Sequence, residues 1–212
     1  MKDLKILAGK LQERLEKPLP GLEAQLLMAT KKRLKFPFMT AVPSRAKPSG
    51  VLILLYPFKE DIFFILMRRP DYTGVHSGQI SLPGGKAEKN DRDIIETALR
   101  EAHEEVGILP SEVSIIGLLT PLYIPPSNYI VTPVVAWADH RPEFSGDPRE
   151  VDEILEISFT DFVDDRNVLK KRIKLFMRIS ANFPCFFIGG NIIWGATAMM
   201  LSEFRVILKE VI

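Results

Sequence analysis

Glu101, Glu104 and Glu105 fall within one turn of a helical segment, next to Arg100, on a chain that carries 28 basic and 27 acidic residues. Acidic neighbours spaced i, i+3 and i+4 repel by about 0.2–0.5 kcal/mol per pair on an isolated helix. The crowding calls for a counter-charge. Just upstream, Pro83-Gly84-Gly85 is a turn in which backbone carbonyls can approach a cation, because glycine puts no side chain in the way. Oxygen donors alone suit the hard ions Mg²⁺ or Mn²⁺, which commonly hold substrate phosphates as well. Glu101, Glu104, Glu105 and the Gly85 carbonyl are therefore the candidate metal ligands. An ion held there would neutralise a phosphate compound and activate a water.

A water attacking phosphorus must be deprotonated on the side away from the leaving group, which asks for a base outside this helix. Glu150 is the candidate and Glu153 the second, in an acidic segment that follows a loop and precedes a strand. His76, beside Gly78, is a candidate phosphate contact or a turn residue. Cys185 sits among Phe183, Phe186 and Phe187, a composition that reads as core.

These side chains need a scaffold. At 100° per residue, Ile95, Ala98, Leu99, Ala102 and Val106 form the buried arc of the acidic helix. Thr97, Glu101, Glu104 and Glu105 form the adjoining arc, expected to be exposed. Asp91 or Asp93 is placed to cap or charge-complement its N-terminus, and Gly107 to end it. Val51–Tyr56 and Ile62–Met67 read as a hairpin, and Val113–Leu119, Tyr129–Trp137 and Ile154–Phe159 as further strands. Helical patterns are predicted over about 2–35 in two pieces, 160–172 and 195–210. Strands and helices mix without regular βαβ alternation, so the expectation is α+β, an α/β/α sandwich with a mixed sheet. Pro37, Pro43, Pro48 and Gly50 mark a connector, dividing an N-terminal helical extension (1–49) from the main domain (50–212).

Balanced charge gives no global field for nucleic acid. A single cysteine excludes an intramolecular disulfide, which favours the inside of a cell and a cytoplasmic location. The N-terminus lacks the apolar core and cleavage site of a secretory signal. Phe183–Leu201 has the length of a membrane span, but Pro184 and Gly189-Gly190-Asn191 break it into a strand, a turn and a buried helix. A small-molecule partner is expected, and a homodimer is left open.

Gly85, Arg100-Glu101, Glu104-Glu105 and Gly107-Ile108 resemble the Nudix box, G-x5-E-x7-R-E-U-x-E-E-x-G-U. Asp91 stands where the box has its first glutamate, and one extra residue precedes Arg100. That insertion, with Thr97-Ala98-Leu99-Arg100-Glu101, is similar to the coenzyme A pyrophosphatase branch. Leu66-Met67-Arg68-Arg69 and His76 to Gly85 resemble that branch's segment upstream of the box, with Leu82 in place of its phenylalanine. Tyr129 to Val135, Glu150 to Glu153 and Ile193 to Ala198 extend the resemblance over about 50–210. It implies a Nudix fold and metal-dependent cleavage of the pyrophosphate of coenzyme A or an acyl form, with Arg100 orienting a box glutamate and Arg68 or Arg69 meeting phosphate. The Lys31-Lys32-Arg33 and Lys35 cluster is a weaker candidate for the adenosine 3′-phosphate. Hydrolysis of another nucleoside diphosphate such as ADP-ribose, or nucleotide sensing without turnover, are the competing readings.

Overall fold

The computed structural model describes residues 3–30, 42–70, 78–174 and 180–212. Lys31–Lys35 and His76 lie outside the described residues.

The apolar run Val51–Tyr56 becomes the centre of a long strand, β1 (Lys47–Phe58), in which Leu52 to Tyr56 are all fully buried. A strand that is apolar at every position must be covered on both faces, and here it is. β1 pairs antiparallel with β2 (Asp61–Arg68) across the expected hairpin and parallel with β7 (Tyr129–Trp137), from Lys47 opposite Tyr129 to Leu55 opposite Trp137. The short strands β3 (Ile80–Ser81) and β4 (Gly84–Lys86) pair with β2 and β1. β5 (Ser114–Leu118) and β6 (Leu122–Ile124) join β7, and β8 (Glu153–Ser158) joins β2. The result is an eight-stranded mixed sheet.

Five helices occur among the described residues. α3 (Ile94–Val106) packs Ala98, Ala102 and Val106 against Leu52, Leu54, Ile65 and Met67 on one face of the sheet. The other face meets α1 (Leu4–Leu15) and α5 (Gly195–Val211), whose Leu4, Leu7, Leu11, Leu201 and Phe204 share a core with Ile53, Leu55, Phe64 and Leu66. This is the α/β/α layering expected. The N-terminal helices belong to that core. α2 (Gly21–Leu26) is tied to α5 by the fully buried Glu203, which accepts hydrogen bonds from Gly21 N (3.0 Å), Gln25 Nε2 (2.9 Å) and Thr120 Oγ1 (2.6 Å).

A helix over 160–172 is corrected. α4 covers only Phe159–Val163. The Asp164 carboxylate then accepts from Arg166 N, closing a single 3-10 turn, and Val168–Lys174 forms β9. β9 pairs with β10 (Ser180–Ile188), and β10 with β11 (Asn191–Trp194), as a separate antiparallel sheet. Pairing with a distant strand overrides a weak local pattern. Phe183–Leu201 resolves into a strand, a turn, a strand and a helix, and no helix among the described residues is long and apolar enough to cross a membrane.

Candidate active site

α3 begins where Asp93 caps it, its carboxylate accepting from Glu96 N at 2.9 Å, and ends at Gly107, which takes the left-handed conformation (φ 78°) that glycine tolerates. Asp91 does other work. Its carboxylate grips Arg100 through both oxygens (3.0 and 3.1 Å) and accepts from the Thr97 hydroxyl at 2.8 Å. Arg100 in turn reaches Glu101 (2.9 Å) and Glu104 (3.1 Å) through Nη1 and the Lys86 carbonyl through Nη2. The guanidinium holds the Asp91 carboxyl well below the usual carboxylate range. One arginine thus bridges three carboxylates, offsetting part of the repulsion between Glu101 and Glu104 and leaving Glu105 outside its reach.

Glu105 is not on an exposed arc. It is 3% exposed, because the Gly84-Gly85 turn lies across that side of α3, and Thr97, whose hydroxyl donates to Asp91, is fully buried. Glu105 Oε2 accepts from Gly84 N at 2.7 Å, while Oε1 lies 3.6 Å from Arg69 Nη2, an ion pair too long for a hydrogen bond. The turn fits this tightly only with glycine. A Cβ on Gly85 would overlap the Glu101 carboxylate, and one on Gly84, at φ 145°, would overlap the β1 backbone. Burial pushes the Glu105 carboxyl up to about 7 and outweighs the lowering by Gly84 N–H and Arg69, while the charges of Glu101 and Glu150 push the same way as burial. Burial also raises Glu101, against the pull of Arg100.

Glu150 acts on both carboxylates because the chain after Gly107 folds back over the end of α3. Ser145 N donates to Val106 O (3.0 Å), Asp147 N to Glu105 O (2.9 Å) and Glu150 N to Asp147 O (3.0 Å), after which Asp152 N donates to Arg68 O (2.9 Å). Glu153 is elsewhere. It pairs with Arg68 Nε at 3.0 Å, and Arg68 Nη2 donates to Asn191 Oδ1 at 2.7 Å. Alternation along β2 sends Arg69 to the α3 face and Arg68 to the opposite one, so the two arginines cannot serve one point. That period was readable in the sequence. The role of Asp91 was signalled only by its position relative to the glutamates.

The donor set fits a divalent ion by chemistry and charge: carboxylate oxygens of Glu101, Glu104 and Glu105, beside the Gly85 carbonyl oxygen. That carbonyl accepts from Ser49 Oγ at 2.6 Å and keeps a second lone pair. Among the described residues no three His, Cys, Asp or Glu side chains converge into a ready cage. Glu101 and Glu104 face Arg100 instead, and burial, aided by the neighbouring carboxylates, raises the proton affinity of Glu101 and Glu105, an effect that a bound cation would oppose.

The NUDIX domain family matches residues 46–177, so the chain belongs to the Nudix family. Nudix hydrolase 22, chloroplastic, of Arabidopsis thaliana is 36% identical over 178 residues, which cover 81% of this chain and 59% of that protein. The uncharacterized Nudix hydrolase NudL of Yersinia enterocolitica is 45% identical over 93 residues, 44% of this chain and 47% of the relative. The matches thus span about half the length of these relatives. The fold is similar to the crystal structure of a Nudix hydrolase from M. smegmatis, RenU, with a TM-score of 0.55 at 16% identity, covering 79% of this chain and 88% of that one.

Proposed function

We propose that the chain is a metal-dependent pyrophosphohydrolase that cleaves coenzyme A or acyl-coenzyme A to adenosine 3′,5′-bisphosphate and 4′-phosphopantetheine or its acyl form. The observation that carries the reaction class is the buried, under-partnered Glu105 beside Glu101, Arg100 and the Gly84-Gly85 turn. The substrate reading rests on the resemblance of residues 66–85 to the coenzyme A branch.

Glu101, Glu104, Glu105 and the Gly85 carbonyl would hold Mg²⁺ or Mn²⁺, which would supply charge neutralisation at the pyrophosphate and lower the pKa of a water. The chain supplies the rest. Arg69, at the end of β2 and facing α3, binds a pyrophosphate oxygen. Arg100, anchored by Asp91, orients Glu101 and Glu104. The Glu150 carboxylate takes the proton of the attacking water as its oxygen bonds to phosphorus and the bridging P–O bond breaks. The Gly84-Gly85 turn keeps Glu105 out of bulk water, which strengthens its interaction with any cation.

A substrate panel tests the reading: coenzyme A, acyl-coenzyme A, ADP-ribose, diadenosine polyphosphates and NADH, each with Mg²⁺ or Mn²⁺. Preferred turnover of the first two upholds it. Preferred turnover of ADP-ribose or a dinucleotide would move the substrate while keeping the chemistry, and binding without product would make the chain a sensor.

A further inference from the structure

The last carbonyls of α3 have no partner within the helix and must find donors elsewhere. Two of them find donors in the segment that folds back after Gly107: Val106 O accepts from Ser145 N at 3.0 Å, and Glu105 O from Asp147 N at 2.9 Å. Asp147 does more than close the helix. Its side-chain Oδ1 accepts from Arg149 N at 2.9 Å, and its carbonyl accepts from Glu150 N at 3.0 Å and Val151 N at 2.8 Å. Three consecutive amides thus converge on one residue, and that of Glu150 is the middle one. Pro148, which follows Asp147, has no amide to satisfy and a φ already fixed for such a turn. The far end is pinned as well, because Val151 is buried in the α3 core and Asp152 N donates to Arg68 O at 2.9 Å. The turn therefore spans from the backbone of Glu105 to the end of β2, next to Arg69.

Asp147-Pro148-Arg149-Glu150 has the spacing of a capping box, in which the carboxylate of the fourth residue reaches back to the amide of the first. Here that amide already donates to Glu105 O. Glu150 is left exposed, with no hydrogen bond or ion pair among the described residues, while its charge still reaches Glu101 and Glu105. We infer that Asp147 is the positioning residue for Glu150: its carboxylate and backbone hold the turn that presents the Glu150 carboxylate to the acidic face of α3. The inference rests on the role given to Glu150 above. The Asp147 carboxylate is itself turned to the Arg149 guanidinium, with Oδ1 at 3.1 Å from Nε and Oδ2 at 2.6 Å from Nη2, so it acts through its neighbour rather than on a phosphate. Removing this side chain takes the acceptor from Arg149 N, a change comparable to the loss of a helix cap. Both backbone acceptors remain, so the fold should stay while Glu150 samples other directions.

The test compares Asp147→Ala, Asp147→Asn and Glu150→Gln in the full chain, singly and with each Asp147 change combined with Glu150→Gln. With whichever compound of the panel above is turned over, Asp147→Ala should lower kcat by about ten-fold with KM little changed, because misdirecting a reacting group costs rate rather than binding. Asp147→Asn keeps the acceptor for Arg149 N and should restore most of the rate. In the Glu150→Gln background Asp147→Ala should cost nothing further, since the group it positions is gone. Binding of Mn²⁺ without substrate, followed by electron paramagnetic resonance of the free ion, supplies an arm that needs no turnover. Glu150→Gln and Asp147→Ala should each weaken Mn²⁺ binding by about three-fold, and the two together no more than either alone. A Glu150→Gln variant with wild-type kcat would remove the base from the proposed function, and the Mn²⁺ arm would still decide Asp147. Losses that persist in full in the Glu150→Gln background overturn the inference, because Asp147 would then act on the fold at large. So does an Asp147→Asn variant as impaired as Asp147→Ala, and so does an Asp147→Ala variant with unchanged kcat and Mn²⁺ affinity.

Discussion

Two glutamates are buried among the described residues, and their surroundings differ in kind. Glu203, on α5, is fully buried and accepts from the amide of Gly21, the Gln25 side chain, and both the amide and hydroxyl of Thr120. Glu105, on α3, is nearly as buried but has one backbone donor and a distant arginine, and it faces two further carboxylates. Saturation with fixed donors makes a carboxylate a structural joint, here between α2, α5 and the segment before β6. Leaving it short of donors keeps it available to a cation and to chemistry.

The contrast can be broken most directly at Glu105. With Mg²⁺ saturating, Glu105→Gln should lower kcat/KM by about 10³-fold, or about 4 kcal/mol of transition-state stabilisation. Its urea midpoint should not fall. Near wild-type rates would remove Glu105 from the metal site. Glu203→Ala should do the reverse. Stranding several buried donors should cost about 3 kcal/mol in equilibrium unfolding, while the activity of the molecules that remain folded is preserved. Equal stability of this variant and wild type would refute the joint.

Glu150 sharpens the comparison from a third position, exposed but close enough to load both site carboxylates with charge. If it is the base, Glu150→Gln should reduce kcat by about 100-fold and remove the acid limb of the pH–rate profile. A superimposable profile would retire the assignment. The smallest effect concerns stability alone, measured in EDTA. A carboxyl whose folded-state pKa is raised, here from 4.5 to about 7, gives stability that is present below the unfolded value and lost as pH rises through the folded one. Wild type should therefore lose on the order of 2–3 kcal/mol between about pH 4.5 and 7 that Glu105→Gln retains. Parallel stability curves for the two proteins across that window would show that burial does not strain Glu105.

Much of the site was legible because its signals are local. The period of α3, its stop at Gly107 and the hairpin of β1 and β2 follow from residue spacing within short windows. Glu105 was misplaced because the turn that covers it lies some 20 residues upstream. Periodicity describes the faces of a helix, and a neighbouring loop decides which face stays wet. The strand β9 was missed for a related reason. Lys170, Lys171, Arg172 and Lys174 carry no strong alternation, and only pairing with β10 fixes them as a strand. Arg68 and Arg69 form the opposite case: the period of two that places them on different faces was present in the sequence, but the resemblance offered either one for phosphate and left the choice to the structure.

The parallel register of β1 and β7 also shapes how the chain reaches this structure. Lys47 lies opposite Tyr129, so the central strand cannot complete its pairing until Trp137 has been made. At about 5–20 residues per second, synthesis leaves Val51–Tyr56 waiting roughly 4–20 s. During that interval β2 covers one edge, while the edge that β7 will occupy stays open. Parallel pairing across such a separation is slow in refolding as well. The strand that anchors the Gly84-Gly85 turn beneath Glu105 is thus also an apolar segment whose second edge stays unpaired until late in synthesis.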